Sequence, residues 1–133
     1  MSERKVIRVK DVMADDFAMV DGLITIKEAI EIYKQKQVSA LLVNKRHDND
    51  EYGILLLSDI AKKVLAQDRA PGRVNVYEVM TKPVIGVDPQ MDVRYCARLF
   101  DNFGLAMAPV LKNDVVMGIV GYNQIVLDGL LTD

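Results

Sequence analysis

Apolar and polar positions along this chain run through one series of patterns and then through it again. Phe17 to Val20 is an apolar run of strand length, closed by a turn at Asp21 and Gly22. From Thr25 the spacing becomes helical: Ile26, Ala29, Ile30 and Tyr33 share one stripe, Thr25 and Glu28 have capping-box spacing, and the helix is expected to end near Gln37. Ala40 to Asn44 and Tyr52 to Leu57 are again apolar runs, joined by the polar stretch Lys45 to Glu51, which predicts a hairpin. Ser58 is placed to cap a second helix carrying Ile60, Val64 and Leu65.

The second pass keeps the order. Val84 to Val87 is the strand, Asp88 and Pro89 the turn, and Asp92 the cap of a helix with Val93, Cys96, Ala97 and Phe100 on its buried stripe. Met107 to Leu111 and Val115 to Tyr122 predict strands around a tight turn at Asn113 and Asp114, and Asn123 is expected to cap a last helix through Ile125, Val126 and Leu130. Each pass reads strand, helix, strand, strand, helix, so the expected fold class is α+β.

The likeness extends to residue identities. Val9, Val12, Met13, Val20, Asp21, Val43 and Lys45 recur 67 positions on as Val76, Val79, Met80, Val87, Asp88, Val110 and Lys112. After a short contraction, Gly53, Ile54, Ile60 and Leu65 match Gly118, Ile119, Ile125 and Leu130. A tandem duplication of about sixty residues predicts two like units about a pseudo-twofold axis, with any cleft at their junction present twice. The expected boundaries are 9–66 and 76–131, with 67–75, which holds Arg69, Pro71, Gly72 and Arg73, as a short linker.

Composition narrows the function classes. A chain of 133 residues buries roughly two-thirds of its unfolded surface, enough for a shared core. Its 17 basic and 19 acidic residues are interspersed, with a formal charge of −2, which gives no basic stripe for nucleic acid or an anionic membrane. The single Cys96 excludes an intramolecular disulfide and a cysteine-cluster metal site, and its place on a helical apolar stripe predicts a small buried hydrophobe. The densest apolar run, Ile54 to Leu57, is far shorter than the roughly twenty residues that cross a bilayer, and the start MSERKVIRVK lacks the apolar core of a secretory signal. A cytoplasmic protein without direct membrane insertion is the expectation.

His47 with Asp48, Asp50 and Glu51 falls on the predicted hairpin loop without defined ligand geometry, and reads as a solvated turn rather than a metal site. Neither a P-loop nor an activated nucleophile stands out, so binding rather than catalysis is expected and no catalytic residue is assigned.

A Val-Met pair, a short strand, an alanine-bearing amphipathic helix, an apolar strand such as AlaProVal at 108 to 110, and a closing glycine-isoleucine strand running into a helix resemble the cystathionine-beta-synthase (CBS) domain. Two in tandem resemble the Bateman module, and the resemblance covers about Lys10 to Leu131. It implies two β-α-β-β-α repeats and a regulatory module that binds an adenosine-containing ligand: AMP, ADP, ATP, S-adenosylmethionine or a cyclic dinucleotide. It also implies no required cofactor, a homodimer, and action in trans on a protein partner that the sequence does not name.

The resemblance implies two clefts, each built crosswise from both repeats. In the first, Asp59 stands at the family's ribose aspartate, with Ile54 and Leu56 beside it, and Leu56 replaces the usual Thr or Ser. Thr81, Lys82, Val84, Leu105, Ala106 and Pro109 would supply the adenine half, and Lys82 is also a candidate phosphate contact. In the second, Asp16, Phe17, Ala18, Val38, Ser39 and Ala40 form the adenine half, while Ile119 and Gln124 stand on the ribose side, with Gln124 in place of the aspartate and Gly121 in place of the hydroxyl residue. An amide still bonds a hydroxyl, but gives up a charge-assisted bond roughly twice as strong. The first cleft is therefore the expected nucleotide site. The alternative is a ligand-free dimerisation or interaction scaffold, in which Asp59 serves only the first turn of its helix.

Overall fold

The computed structural model describes residues 6–129. Among them are four α-helices, α1 (Val9–Val12), α2 (Ile26–Lys36), α3 (Leu57–Ile60) and α4 (Val93–Phe103), and five strands, β1 (Phe17–Val20), β2 (Ala40–Val43), β3 (Gly53–Leu55), β4 (Met107–Lys112) and β5 (Val115–Gly121). The chain packs as two compact units, a continuous one, Asp16–Val84, and a discontinuous one that joins the segment ending at Asp15 to the chain from Ile85 onward.

In the continuous unit the sheet order is β1-β2-β3. A parallel pair needs a crossover, and α2 provides it: β1 and β2 run parallel with Phe17 opposite Ala40, whereas β2 and β3 form the expected antiparallel hairpin with Leu42 opposite Ile54. The cap of α2 forms where the pattern places it. The Glu28 N–H donates to Thr25 Oγ1 at 3.1 Å, and Glu28 Oε1 accepts the Thr25 N–H at 3.2 Å. At the other end Gln37 takes a left-handed conformation. Ile26, Ala29 and Tyr33 face the core with Leu41, Val43, Leu55 and Val64. The Tyr33 hydroxyl donates to the Leu55 carbonyl at 2.6 Å, so its one polar atom is satisfied, and burial pushes the phenol well above its ordinary pKa.

Strand β3 is shorter than the expected Tyr52 to Leu57, because the chain turns at Leu56 into α3. The helix continues as a π-helical stretch, Ala61–Leu65, and buries Ile60 and Val64, but Leu65, expected in the core, is 59% exposed.

In the discontinuous unit Asp92 caps α4 by accepting the Arg94 N–H at 2.9 Å, and Gly104 closes it in the left-handed region at φ 64°. Cys96 and Phe100 are fully buried, as expected. Strands β4 and β5 pair antiparallel around Asn113 and Asp114, whose φ values of 51° and 64° are the signature of a primed hairpin turn.

The expected strand Val84 to Val87 is reduced to one parallel bridge between Val87 and Val110. Its N–H donates to the Pro109 carbonyl at 3.0 Å and its carbonyl accepts from Leu111 at 2.9 Å. Both backbone groups of a strand residue point to the same side, so the next rung would need an N–H from Pro109, which has none. The first repeat has Leu42 at the matching position and forms the full ladder. The last helix, Asn123–Asp128, is π-helical and buries Ile125; Val126 is exposed, and Leu130 lies outside the described residues.

Each unit includes the opening segment of the other repeat. Thr81 bridges Ile54 on β3, and Ala14 bridges Ile119 on β5. The repeated glycines and methionines make this possible. A Cβ on Gly53 would sit 2.6 Å from Met80 Sδ, and one on Gly118 would sit 2.8 Å from the Ala14 carbonyl oxygen and 3.1 Å from Met13 Sδ. Only the absence of a side chain lets the opening segment lie against the strand.

Candidate ligand-binding site

Asp59 is the third residue of α3, and its side chain is 17% exposed. Oδ2 accepts the Leu56 N–H at 2.9 Å, and Oδ1 faces the Lys63 ammonium at 3.8 Å. Lys63 also donates to the Val79 carbonyl at 3.0 Å, so it is fixed at both ends. Ser58, expected as the cap, is not: the cap position falls at Leu56, which has no hydroxyl, and the Asp59 carboxylate supplies the missing bond to the backbone. One carboxylate oxygen therefore serves the helix while the other keeps acceptor capacity.

The other residues expected at the first cleft divide between the units. Ile54 is buried on β3, Leu56 is half-buried, and Thr81 is exposed and exchanges two 2.9 Å backbone bonds with Ile54. Val84 ends this unit and is half-buried. Lys82 turns to the hairpin loop, where its ammonium lies 2.8 Å from Asp50 Oδ1. Asp50, with a side chain 9% exposed, also receives the Arg46 backbone N–H at 2.9 Å, and the Lys82 hydrogen bond is the main cause that holds its carboxyl well below the usual range. Leu105, Ala106 and Pro109 belong to the discontinuous unit: Leu105 is half-buried with its N–H on the Phe100 carbonyl, Ala106 is exposed, and Pro109 is buried on β4.

For the second cleft, Asp16, Phe17, Ala18, Val38, Ser39 and Ala40 lie together at the start of β1 and β2. The Ser39 N–H donates to the Asp16 carbonyl at 2.7 Å, and the Ser39 hydroxyl donates to Asp16 Oδ2. The second carboxylate oxygen, Asp16 Oδ1, is buried without a hydrogen-bond partner among the described residues. Phe17 and Ala18 pair with Ala40 and Leu41, and Val38 packs on the core. Ile119 is buried in the discontinuous unit, where Gln124 Oε1 accepts the Gly121 N–H at 2.7 Å. Asn123, expected as the cap, is the first residue of the π-helical stretch; the preceding Tyr122 makes no side-chain cap bond.

Lys63 does not stand out in the sequence as a site residue, and Asp50 reads there as part of a solvated turn. Their signals were the four-residue spacings Asp59–Lys63 and Arg46–Asp50, both of which close as ion pairs.

A duplicated α+β unit in which the same helix start carries an acid in one copy and an amide in the other defines a tandem-repeat module. The chain belongs to the CBS domain family, whose model matches residues 9–66 and 76–127. It is 29% identical over 120 residues to the CBS domain-containing protein YhcV of Bacillus subtilis, spanning 90% of this chain and 84% of that protein. Among solved structures it is similar to the hexameric CBS-CP12 protein from bloom-forming cyanobacteria, at 34% identity and TM-score 0.87 over 90% of this chain and 69% of that one. It is also similar to the CBS domain pair of protein MJ0100 in complex with 5′-methylthioadenosine and S-adenosyl-L-methionine, at 28% identity and TM-score 0.79 over 94% and 98% of the two chains. Among the described residues no helix is long and apolar enough to cross a membrane.

Proposed function

We propose that this chain is a regulatory CBS pair that binds one adenosine-containing ligand, with Asp59 as the ribose acceptor, and passes the bound state to a protein partner in trans. The observation that carries this reading is Asp59 itself: a largely buried carboxylate with one oxygen used by the backbone and the other held near a fixed lysine, at the place where the family's ribose acid stands. An ionised carboxylate accepts from both hydroxyls of a ribose, and Thr81, bonded to Ile54 in the same unit, lies on the segment expected against the adenine. The similarity to a CBS pair in complex with two adenosyl compounds supports that ligand class. Binding acts by favouring one arrangement of the module over another, and a partner with differential affinity for the two reads the difference.

A second reading, a ligand-free dimerisation scaffold, is favoured by one specific observation. The Asp59 bond to Leu56 and the Gln124 bond to Gly121 are alike, so the acid has a structural role without any ligand. Calorimetry on nucleotide-stripped protein separates the two. The sensor reading expects saturable heat with AMP, ATP or S-adenosylmethionine at one site per chain; no heat with any of the three leaves the scaffold.

A further inference from the structure

The continuous unit has a cavity of about 1070 Å³ whose lining does not include Asp59. It lies where the parallel strands β1 and β2 end, at Val20 and Val43, and the carboxyl ends of parallel strands are a recurrent place for ligands. Three cations from two separate segments line it: Lys45 and Arg46 from the β2–β3 loop, and Lys82 from the stretch that follows Met80.

Two of these cations are pre-positioned. Lys82 Nζ and Arg46 Nε both rest on Asp50 Oδ2, at 2.9 and 3.4 Å, so one carboxylate behind the wall gathers them. Arg46 is 78% exposed along its side chain and keeps the open edge of its guanidinium for a ligand. Asp21, an acid on the lining, accepts the Leu23 N–H at Oδ1, at 2.8 Å. The remaining wall is apolar and aromatic, formed by Val43, Met80 and Tyr77, and Tyr77 is 52% exposed.

We propose that this cavity binds a phosphate monoester with a planar or apolar body, the phosphate held between Arg46 and Lys82 and the body against Tyr77 and Met80. Clustered cations suit a doubly charged head better than a carboxylate, and the apolar wall adds contact area that inorganic phosphate cannot use. Lys82, which the resemblance placed at the first cleft, turns instead to Asp50 on this cavity's side, and Asp59 is not part of the lining.

Amide-resolved NMR titration of the full chain with phenyl phosphate tests this. The expected result is saturable shifts at Asn44, Lys45, Arg46, Tyr77 and Lys82, weaker binding of inorganic phosphate and benzoate, and roughly a tenfold loss of affinity in Arg46→Gln, comparable to one lost charge-assisted contact. Asp59→Asn should leave the titration unchanged, which keeps this result separate from the adenosyl site. Shifts that do not saturate, that spread over lysines and arginines generally, or that are matched by benzoate at equal affinity would overturn the proposal. Arg46 is exposed, so its replacement tests binding without removing a core contact.

Discussion

The helix that starts at Leu56 and the helix that starts after Gly121 solve one backbone problem with different chemistry. In both, a side chain three residues on reaches back to an unsatisfied N–H: Asp59 to Leu56 at 2.9 Å, Gln124 to Gly121 at 2.7 Å. A neutral amide does the structural work of the acid, so the charge on Asp59 is not required by the fold. The surroundings diverge in the same sense. Lys63 faces Asp59, whereas Asp128 holds the matching position after Gln124. The duplication preserves a cap and differentiates a charge.

The largest expected effect breaks the comparison at the glycines that admit the exchanged segments. Gly118→Ala drives a Cβ against the Ala14 carbonyl, which cannot swing away, and should cost about 1–3 kcal/mol by urea unfolding. Gly53→Ala meets the Met80 thioether first, and a flexible methionine yields, so its cost should be the smaller of the two. Equal losses would remove the distinction between the units.

Next come the caps. Asp59→Ala and Gln124→Ala should each cost about 1 kcal/mol, because each leaves one helix-start N–H without its acceptor. Only Asp59→Ala should abolish adenosyl-ligand heat in calorimetry.

The acid range probes the first hairpin, which Asp50 staples to Lys82. The native carboxyl lies below its ordinary value of 3.8, so its contribution is present above that pH and is lost as the pH falls further. The Asp50 side-chain carboxyl, followed by 13C NMR, should therefore stay ionised to well below pH 3.8, and Lys82→Ala should raise its midpoint back towards that value. The smallest effect concerns Cys96, pushed by burial to about 11 against an ordinary 9.0. It should resist thiol reagents at pH 8 without denaturant. As the native state keeps its proton longer, stability should fall as pH rises from 9 towards 11.

The elements with strong local grammar were legible in the sequence: α2 through Thr25 and Glu28, α4 through Asp92, and the β4–β5 turn through Asn113 and Asp114. The misplacements have physical causes. Pro109 was read as part of a strand, but its missing N–H on the neighbouring strand's side was not carried across to Val84–Val87. Ser58 and Asn123 looked like caps because polar residues usually are, whereas here the reach-back bonds from Asp59 and Gln124 set the helix starts. The direction of Lys82 depends on Asp50, 32 residues away, which no local pattern reveals. The repeated Met and Gly, recognised only as duplication, carried the clearest tertiary signal, since each Met packs on a Gly of the other repeat.

Asp59→Asn tests the central claim most directly. The amide keeps an oxygen for the Leu56 N–H, as Gln124 does for Gly121, but removes the charge. Calorimetry with S-adenosylmethionine and AMP, paired with a melting curve, should show an unchanged midpoint and at least a tenfold weaker ligand. Undiminished affinity in Asp59→Asn, at an unchanged midpoint, would contradict the assignment of Asp59 as the ligand's acceptor.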